Sequence, residues 1–215
     1  MNYFPFFIDI EDKQVLIIGG GPVALRKVEK LLDFKPNLRV IAIDFCDELK
    51  NLAKEWHIEL IQKEVEYADI KGAFCVIAAT DNSLVNSKVS EWCKNSNIPV
   101  NVVDDIKMCS FIFPALVKKD NLCIGISTNG RNPESAKYIK EIILSVIPEN
   151  ISHIIELLSR QREKIKKNIS DTIQRKEAFF KLSSFIRESK LNFSEQELNE
   201  FERKYIDGGC ENENS

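Results

Sequence analysis

Histidine is almost missing from this chain. There are two, His57 and His153, far apart and without a second ligand at metal-binding spacing, which argues against a preformed zinc site. Each is expected to be a surface or internally satisfied residue. The six cysteines (Cys46, Cys75, Cys93, Cys109, Cys123 and Cys210) include no C-x-x-C pair, and Cys75 and Cys123, inside apolar runs, are expected to be buried thiols. Positive charge is not in excess: the formal net charge is −3, so the whole chain carries no nucleic-acid signature. No apolar run approaches the roughly 20 residues of a membrane span. The N-terminal Met1–Ile8 stretch has neither a basic segment nor a cleavage site, so it is not read as a signal peptide, and a cytoplasmic protein is expected. Nothing matches a nucleophile elbow, a P-loop or a catalytic triad.

What is present starts with Val15-Leu16-Ile17-Ile18-Gly19-Gly20-Gly21-Pro22-Val23-Ala24. Four apolar residues read as a buried strand, and a helical pattern follows with Leu25, Val28, Leu31 and Leu32 on one face. Strand, G-x-G-x-x-A turn and helix form the layout of a dinucleotide-binding unit. Gly19 permits the tight turn, Gly21 lets a pyrophosphate approach the backbone, and the small Ala24 lets helix pack on strand. The phosphates then face the free N–H groups at the positive end of the helix.

Along the chain, Tyr3–Ile10 reads as a strand and Asp12-Lys13 as a turn. Further strands are expected at 38–43, 58–61, 74–79 and 99–103, with helices at 22–34, 49–56 and, capped from Thr80–Ser83, to about Lys94. This alternation predicts an α/β fold, a Rossmann-like doubly wound parallel sheet over residues 1–113. A central segment, 114–149, holds a hairpin around Lys118–Asn121, a turn at Asn129-Gly130, and a helix capped by Asn132 with Pro133 in its first position. Residues 150–207 read as a polar helical domain with Ile154, Leu157, Leu158, Ile165 and Ile169 as anchors, and 208–215 as a disordered tail. Between Arg160 and Lys190 ten bases face four acids, a local charge of +6. Such a run is usually a solvated helix face, and it also suits a polycarboxylate ligand or a nucleic acid.

Three groups of residues can carry chemistry. Asp44, about twenty residues beyond the glycines at the end of the second strand, stands where an acid accepts the adenosine ribose hydroxyls. It would repel a 2′-phosphate, which favours NAD over NADP. Asp104 and Asp105 close the strand that begins at Val100, at the carboxyl ends of the sheet where ligands of such folds bind. Adjacent strand residues face opposite ways, so one is expected to act as general base, Asp104, with Asp105 as a turn or cap. Ser110, Ser127 and Thr128 can bind a carboxylate or simply close a strand.

Several stretches together carry a resemblance: Phe4-Pro5-Phe6-Phe7, the glycine run with Arg26-Lys27 after it, Ala78-Ala79-Thr80-Asp81, Asn101-Val102-Val103-Asp104, Ser110-Phe111-Ile112-Phe113-Pro114, and Ile126-Ser127-Thr128-Asn129-Gly130 followed by Pro133. In this order they resemble the precorrin-2 dehydrogenase module of siroheme synthases, which in some members is also a sirohydrochlorin ferrochelatase (a lyase). The methyltransferase half of the fused enzymes has no counterpart in these residues. The resemblance implies an NAD-binding domain, a dimerisation segment and a C-terminal helical domain, assembled as a homodimer. It implies NAD-dependent oxidation of precorrin-2 to sirohydrochlorin in siroheme (porphyrin-type tetrapyrrole) biosynthesis, with Fe²⁺ insertion in the bifunctional members. It places the essential aspartate on Asp104 and cofactor contacts on Gly19, Gly21, Pro22, Val23, Ala24, Ile43, Asp44 and Thr80. Ser127, Thr128, Arg131, Lys137 and the 160–167 stretch are the expected holders of a macrocycle with eight carboxylates. No metal-ligand set and no nucleic-acid or membrane partner is implied. The chain departs from the usual Ser/Thr-Gly-Gly-x-Ser-Pro at Asn129 and Asn132, although asparagine tolerates the left-handed backbone that glycine supplies. Two alternatives stay open at this point: a dehydrogenase served by a separate chelatase, and a non-catalytic NAD-sensing regulatory module.

Overall fold

A computed structural model describes residues 3–207. The expected disordered tail, 208–215, and Cys210 within it lie outside the described residues. The chain divides into two units. The first is the chain up to Pro114 together with Asn129–Arg131; the second is Ala115–Thr128 together with the chain from Asn132 on.

The first unit alternates β1 (Gln14–Ile18), α1 (Pro22–Leu32), β2 (Asn37–Ala42), α2 (Asp47–Trp56), β3 (Glu59–Gln62), β4 (Cys75–Ala78), α3 (Ser83–Asn95) and β5 (Val100–Val102), with a 3₁₀ turn at Tyr67–Ile70. The five strands are all parallel, in the order β3-β2-β1-β4-β5. β1 and β4 are central and apolar on both faces, as strands covered on both sides must be. Their side chains alternate between two cores. Val15, Ile17, Val40 and Ile77 meet Ala24, Val28 and Leu49 from α1 and α2. Leu16, Ile18, Ile41 and Val76 meet Val89 and Cys93 from α3. Each such fully buried Ile or Leu contributes about 1.5–3 kcal/mol relative to exposure. Asn82 caps α3, accepting from the Leu84 and Val85 amides.

Four expectations need correction. Tyr3–Ile10 is not a strand: it has no regular structure and leaves Phe4, Phe6, Phe7 and Ile8 exposed. Its aromatic composition imitates a strand, but it pairs with no strand of either sheet, and Pro5 lacks an amide to donate. The strand read to Val103 stops at Val102. Asp104 therefore does not alternate with Asp105 on a strand; it sits beyond it with left-handed backbone, φ 62°. Cys123 is only half-buried: β7 belongs to a two-stranded hairpin sheet and not to the five-stranded sheet whose central strands are covered on both faces.

The second unit opens with the hairpin β6 (Ala115–Lys119) and β7 (Leu122–Ile126) and continues with α4 (Pro133–Val146), α5 (Ile151–Asn168), α6 (Thr172–Ser189) and α7 (Glu195–Glu202), then a π-helical turn, Arg203–Asp207. Asn132 caps α4 through the Ser135 amide, Asp171 caps α6, and Ser194 and Glu197 form a reciprocal box at α7. Ile165, Ala178, Leu182, Phe201 and Ile206 form its core. The basic run is partly neutralised where it stands: Arg160 pairs with Glu156, Lys166 with Glu163 and Lys164 with Glu202, while Arg162 lies over Phe179 and Lys181 over Tyr205. Among the described residues no single helix is long and apolar enough to cross a membrane.

Candidate functional site

In the first unit the chain runs β1 to β3 on one side of the sheet and returns through β4 and β5 on the other. The strand order reverses between β1 and β4, and at such a switch point the carboxyl ends open into a crevice. The turns after β1, β2, β4 and β5 therefore bring Gly19–Gly21, Ile43-Asp44, Thr80 and Asp104 to one end of one sheet.

The three glycines serve three different purposes. Gly19 has φ +126°, and a Cβ there would stand 2.3 Å from the Ala79 carbonyl oxygen, so it is what lets the β1 and β4 turns touch. Gly20, to which the sequence reading gave no task, faces the β2 turn: a Cβ would lie 1.9 Å from the Asp44 carbonyl oxygen. The Gly20 carbonyl also accepts from the Cys46 amide at 2.8 Å. No sequence signal separates this packing glycine from its neighbours. Gly21 is the opposite case, with no atom within 4 Å of where its Cβ would be. It is the N-cap of α1, no side chain caps that helix, and Pro22 occupies its first turn. An open backbone at an uncapped helix N-terminus fits a pyrophosphate. The residues present thus fit the dinucleotide.

Around this cradle, Pro22, Ile43 and Asp44 are exposed, Val23 is half-buried and Ala24 is fully buried between α1 and the sheet. The Asp44 carboxylate accepts from the Phe45 amide at 2.8 Å and lies 3.9 Å from the Lys50 ammonium. Thr80 is held rather than loose. Its hydroxyl bonds Asn86 Oδ1 at 2.7 Å, and Asn86 Nδ2 donates to the Thr80 carbonyl at 2.9 Å. The buried Asn86 fixes the β4 turn from inside α3, a role that sequence reasoning missed.

Asp104 is exposed on a tight turn. The Val103 amide bonds the Ala78 carbonyl at 3.0 Å, tying that turn to β4. Asp105, as expected of a cap, accepts from the Lys107 amide at 3.0 Å. The neighbouring cation is Lys27 of α1, whose ammonium lies 4.1 Å from the centre of the Phe113 ring. Burial, reinforced by Lys30 and Arg26 and opposed by Asp104, pushes it down to about 8. Lys27 lies within the Arg26-Lys27 stretch quoted above, but nothing in that stretch foretold its desolvation.

The remaining residues expected to hold substrate divide between the units. Arg131 is exposed and belongs to the first. In the second, the Thr128 hydroxyl donates to the Asn132 carbonyl at 2.9 Å and accepts from its amide at 3.1 Å, shaping the loop. Ser127 is exposed, and Lys137 is exposed and paired with Glu134 at 2.7 Å. Asn129 adopts φ 53°, as the substitution of asparagine for glycine requires. Among the described residues no group of three or more His, Cys, Asp or Glu stands together as a metal site.

Comparison with known proteins agrees with this geometry. The chain is 37% identical over 191 residues to siroheme synthase of Ruthia magnifica subsp. Calyptogena magnifica, covering 89% of this chain and 40% of that one. It is 37% identical over 203 residues to siroheme synthase of Pseudoalteromonas translucida (strain TAC 125), covering 92% and 43%. The chain thus spans about two fifths of the length of these curated relatives. A solved structure titled "SirC, precorrin-2 dehydrogenase" superimposes with a TM-score of 0.75 at 22% identity, covering 94% of this chain and all of that one, so the two share a fold. Residues 6–115 match the family profile described as "Putative NAD(P)-binding". With half of its length in that match, and with the glycine cradle at the switch point, the chain belongs to this NAD(P)-binding family.

Proposed function

We propose that this protein is an NAD-dependent dehydrogenase that oxidises precorrin-2 to sirohydrochlorin, the step before metal insertion in siroheme synthesis. The observation that carries the reading is Asp104: a carboxylate on a left-handed turn at the carboxyl end of β5, in the same sheet whose β1 turn is open to a pyrophosphate. The likeness to siroheme synthases supports the substrate class.

When bound, the nicotinamide supplies the hydride acceptor. The chain does the rest. Gly19, Gly21, Pro22, Val23 and Ala24 form the pyrophosphate cradle, Ile43 and Asp44 receive the adenosine ribose, and Thr80 lines the β4 side. The Asp44 carboxylate disfavours a 2′-phosphate, hence NAD. With the nicotinamide bound as hydride acceptor, Asp104 would hold the proton that the macrocycle loses together with the hydride, which accounts for both hydrogens and both electrons. Lys27, desolvated beside that turn, receives one of the substrate's carboxylates, and the exposed Arg131 of the same unit binds another. Asp104 is also suited to take pyrrole N–H protons when Fe²⁺, as a substrate, enters the product.

A homodimer is part of the reading. α4 leaves Tyr138, Ile139, Ile142 and Val146 exposed, an apolar face that a second copy would cover. A cytoplasmic setting accords with the five described cysteines all being free thiols.

The test is an anaerobic assay with enzymatically generated precorrin-2 and NAD⁺, following NADH and the sirohydrochlorin spectrum, with Asp104→Asn in parallel. We expect turnover in the wild type and a loss of at least about a hundredfold in the variant. Addition of Fe²⁺ then reads chelation. NAD⁺ binding without any turnover would overturn the enzyme and leave a nucleotide sensor.

A further inference from the structure

An aspartate with φ 62° needs something to hold it, because non-glycine residues in this region carry local strain. Around Asp104 the holding group is a thiol. Cys109 is buried, and its Sγ lies 3.1 Å from the Val102 amide nitrogen, 3.2 Å from the Val102 carbonyl and 3.3 Å from the Asp105 carbonyl. Val102 and Asp105 are the two ends of the turn that carries Asp104. The sulfur accepts from the Val102 N–H, and its single hydrogen is donated to one of the two carbonyls. Asn101 Nδ2, itself donating to the Phe111 carbonyl at 3.0 Å, approaches the sulfur from behind at 3.5 Å. We propose that Cys109 is a positioning residue: its thiol staples Val102 to Asp105 and so fixes where the Asp104 carboxylate is presented to the reacting centre.

Two observations sharpen this. Burial pushes the Cys109 thiol up from its ordinary value, so it keeps the hydrogen it donates and is a poor nucleophile. The segment is gripped elsewhere by backbone or side-chain contacts independent of the sulfur, such as Ser110 Oγ, which accepts from the Val100 amide at 2.7 Å. Loss of the thiol should therefore loosen the turn without unfolding the sheet.

The proposal rests on the dehydrogenase reading, and its test separates the two. Cys109→Ala is expected to lower kcat about tenfold while leaving KM for precorrin-2 and the Kd for NAD⁺ near their wild-type values; the melting temperature falls by a few degrees, because the buried Val102 N–H loses its acceptor. Cys109→Ser, which keeps both a donor and an acceptor, is expected to recover most of that loss. Should Cys109→Ala fail to fold, Cys109→Val, which fills the space without a polar hydrogen, takes its place. A readout that needs no activity accompanies these: hydrogen exchange in the 100–110 segment speeds up in the alanine variant, while the 15–25 segment is unchanged. Wild-type kcat in Cys109→Ala together with unchanged exchange would overturn the positioning role, as would a loss of NAD⁺ affinity in parallel with kcat. An inactive wild type would instead overturn the dehydrogenase reading and leave the exchange result to decide the staple.

Discussion

Two turns at the same end of one sheet are built in opposite ways. After β1 the backbone is shaped by what is missing: three glycines whose absent side chains let the β4 turn, the β2 turn and a ligand come close, each on a different side. After β5 the backbone is shaped by what is present: a left-handed aspartate, a thiol across the turn, a capping carboxylate and a half-buried lysine alongside. The first turn presents N–H groups to an anion and needs no chemistry of its own. The second presents one carboxylate and needs it in one place. In the proposed reaction, binding falls to the backbone and proton transfer to a side chain.

If that division is right, substitutions in the two turns should fail differently. The largest effect is expected at Gly20→Ala. Its Cβ would stand 1.9 Å from a backbone oxygen that cannot swing away, so the β1 and β2 turns must separate. Urea unfolding should show a loss of about 3 kcal/mol, at the upper end of overpacking effects, with cofactor binding lost as well. Gly21→Ala should separate fold from ligand. Its Cβ meets no protein atom, so the unfolding midpoint stays put while the Kd for NAD⁺ rises at least about tenfold, or about 1.4 kcal/mol, by calorimetry.

A smaller effect is expected at Lys27, and its sign is diagnostic. Burial holds this ammonium at about 8, against 10.5 ordinarily. Below pH 8 it is charged in both folded and unfolded chains, and the buried charge lowers stability. Between pH 8 and 10.5 the folded chain gives up its proton first, so the unfolded state binds more protons and stability from this group rises with pH. Lys27→Met should thus raise the melting temperature at pH 7 by about 2–4 °C, with the advantage shrinking towards pH 10. The same variant should raise KM for precorrin-2. Stabilisation without any change in KM would make Lys27 a packing residue on Phe113 and nothing more.

The two turns also differ in how far the sequence discloses them. The glycine turn was legible because its flanks are local: an apolar strand before, a helical stripe after, and small residues at fixed offsets. The parallel sheet was legible for the same reason, from alternating apolar runs. What escaped was non-local. Gly20 is indispensable because Asp44 lies across from it, and no spacing along the chain reports that. Asn86 and Cys109 look like ordinary helix and loop residues until the β4 and β5 turns fold onto them. Tyr3–Ile10 misled because aromatic residues favour strands only where a partner strand exists to pair with them. The departure at Asn129 was read correctly from local chemistry alone, since asparagine's tolerance of left-handed backbone is intrinsic to the residue.

The most direct test sets one variant from each turn side by side: Asp104→Asn and Gly21→Ala, each measured for NAD⁺ affinity and for single-turnover oxidation of precorrin-2 at saturating NAD⁺. The division of labour predicts wild-type affinity with lost oxidation for Asp104→Asn, and weakened affinity with oxidation recovered at saturation for Gly21→Ala. Matching losses of both quantities in both variants would contradict it.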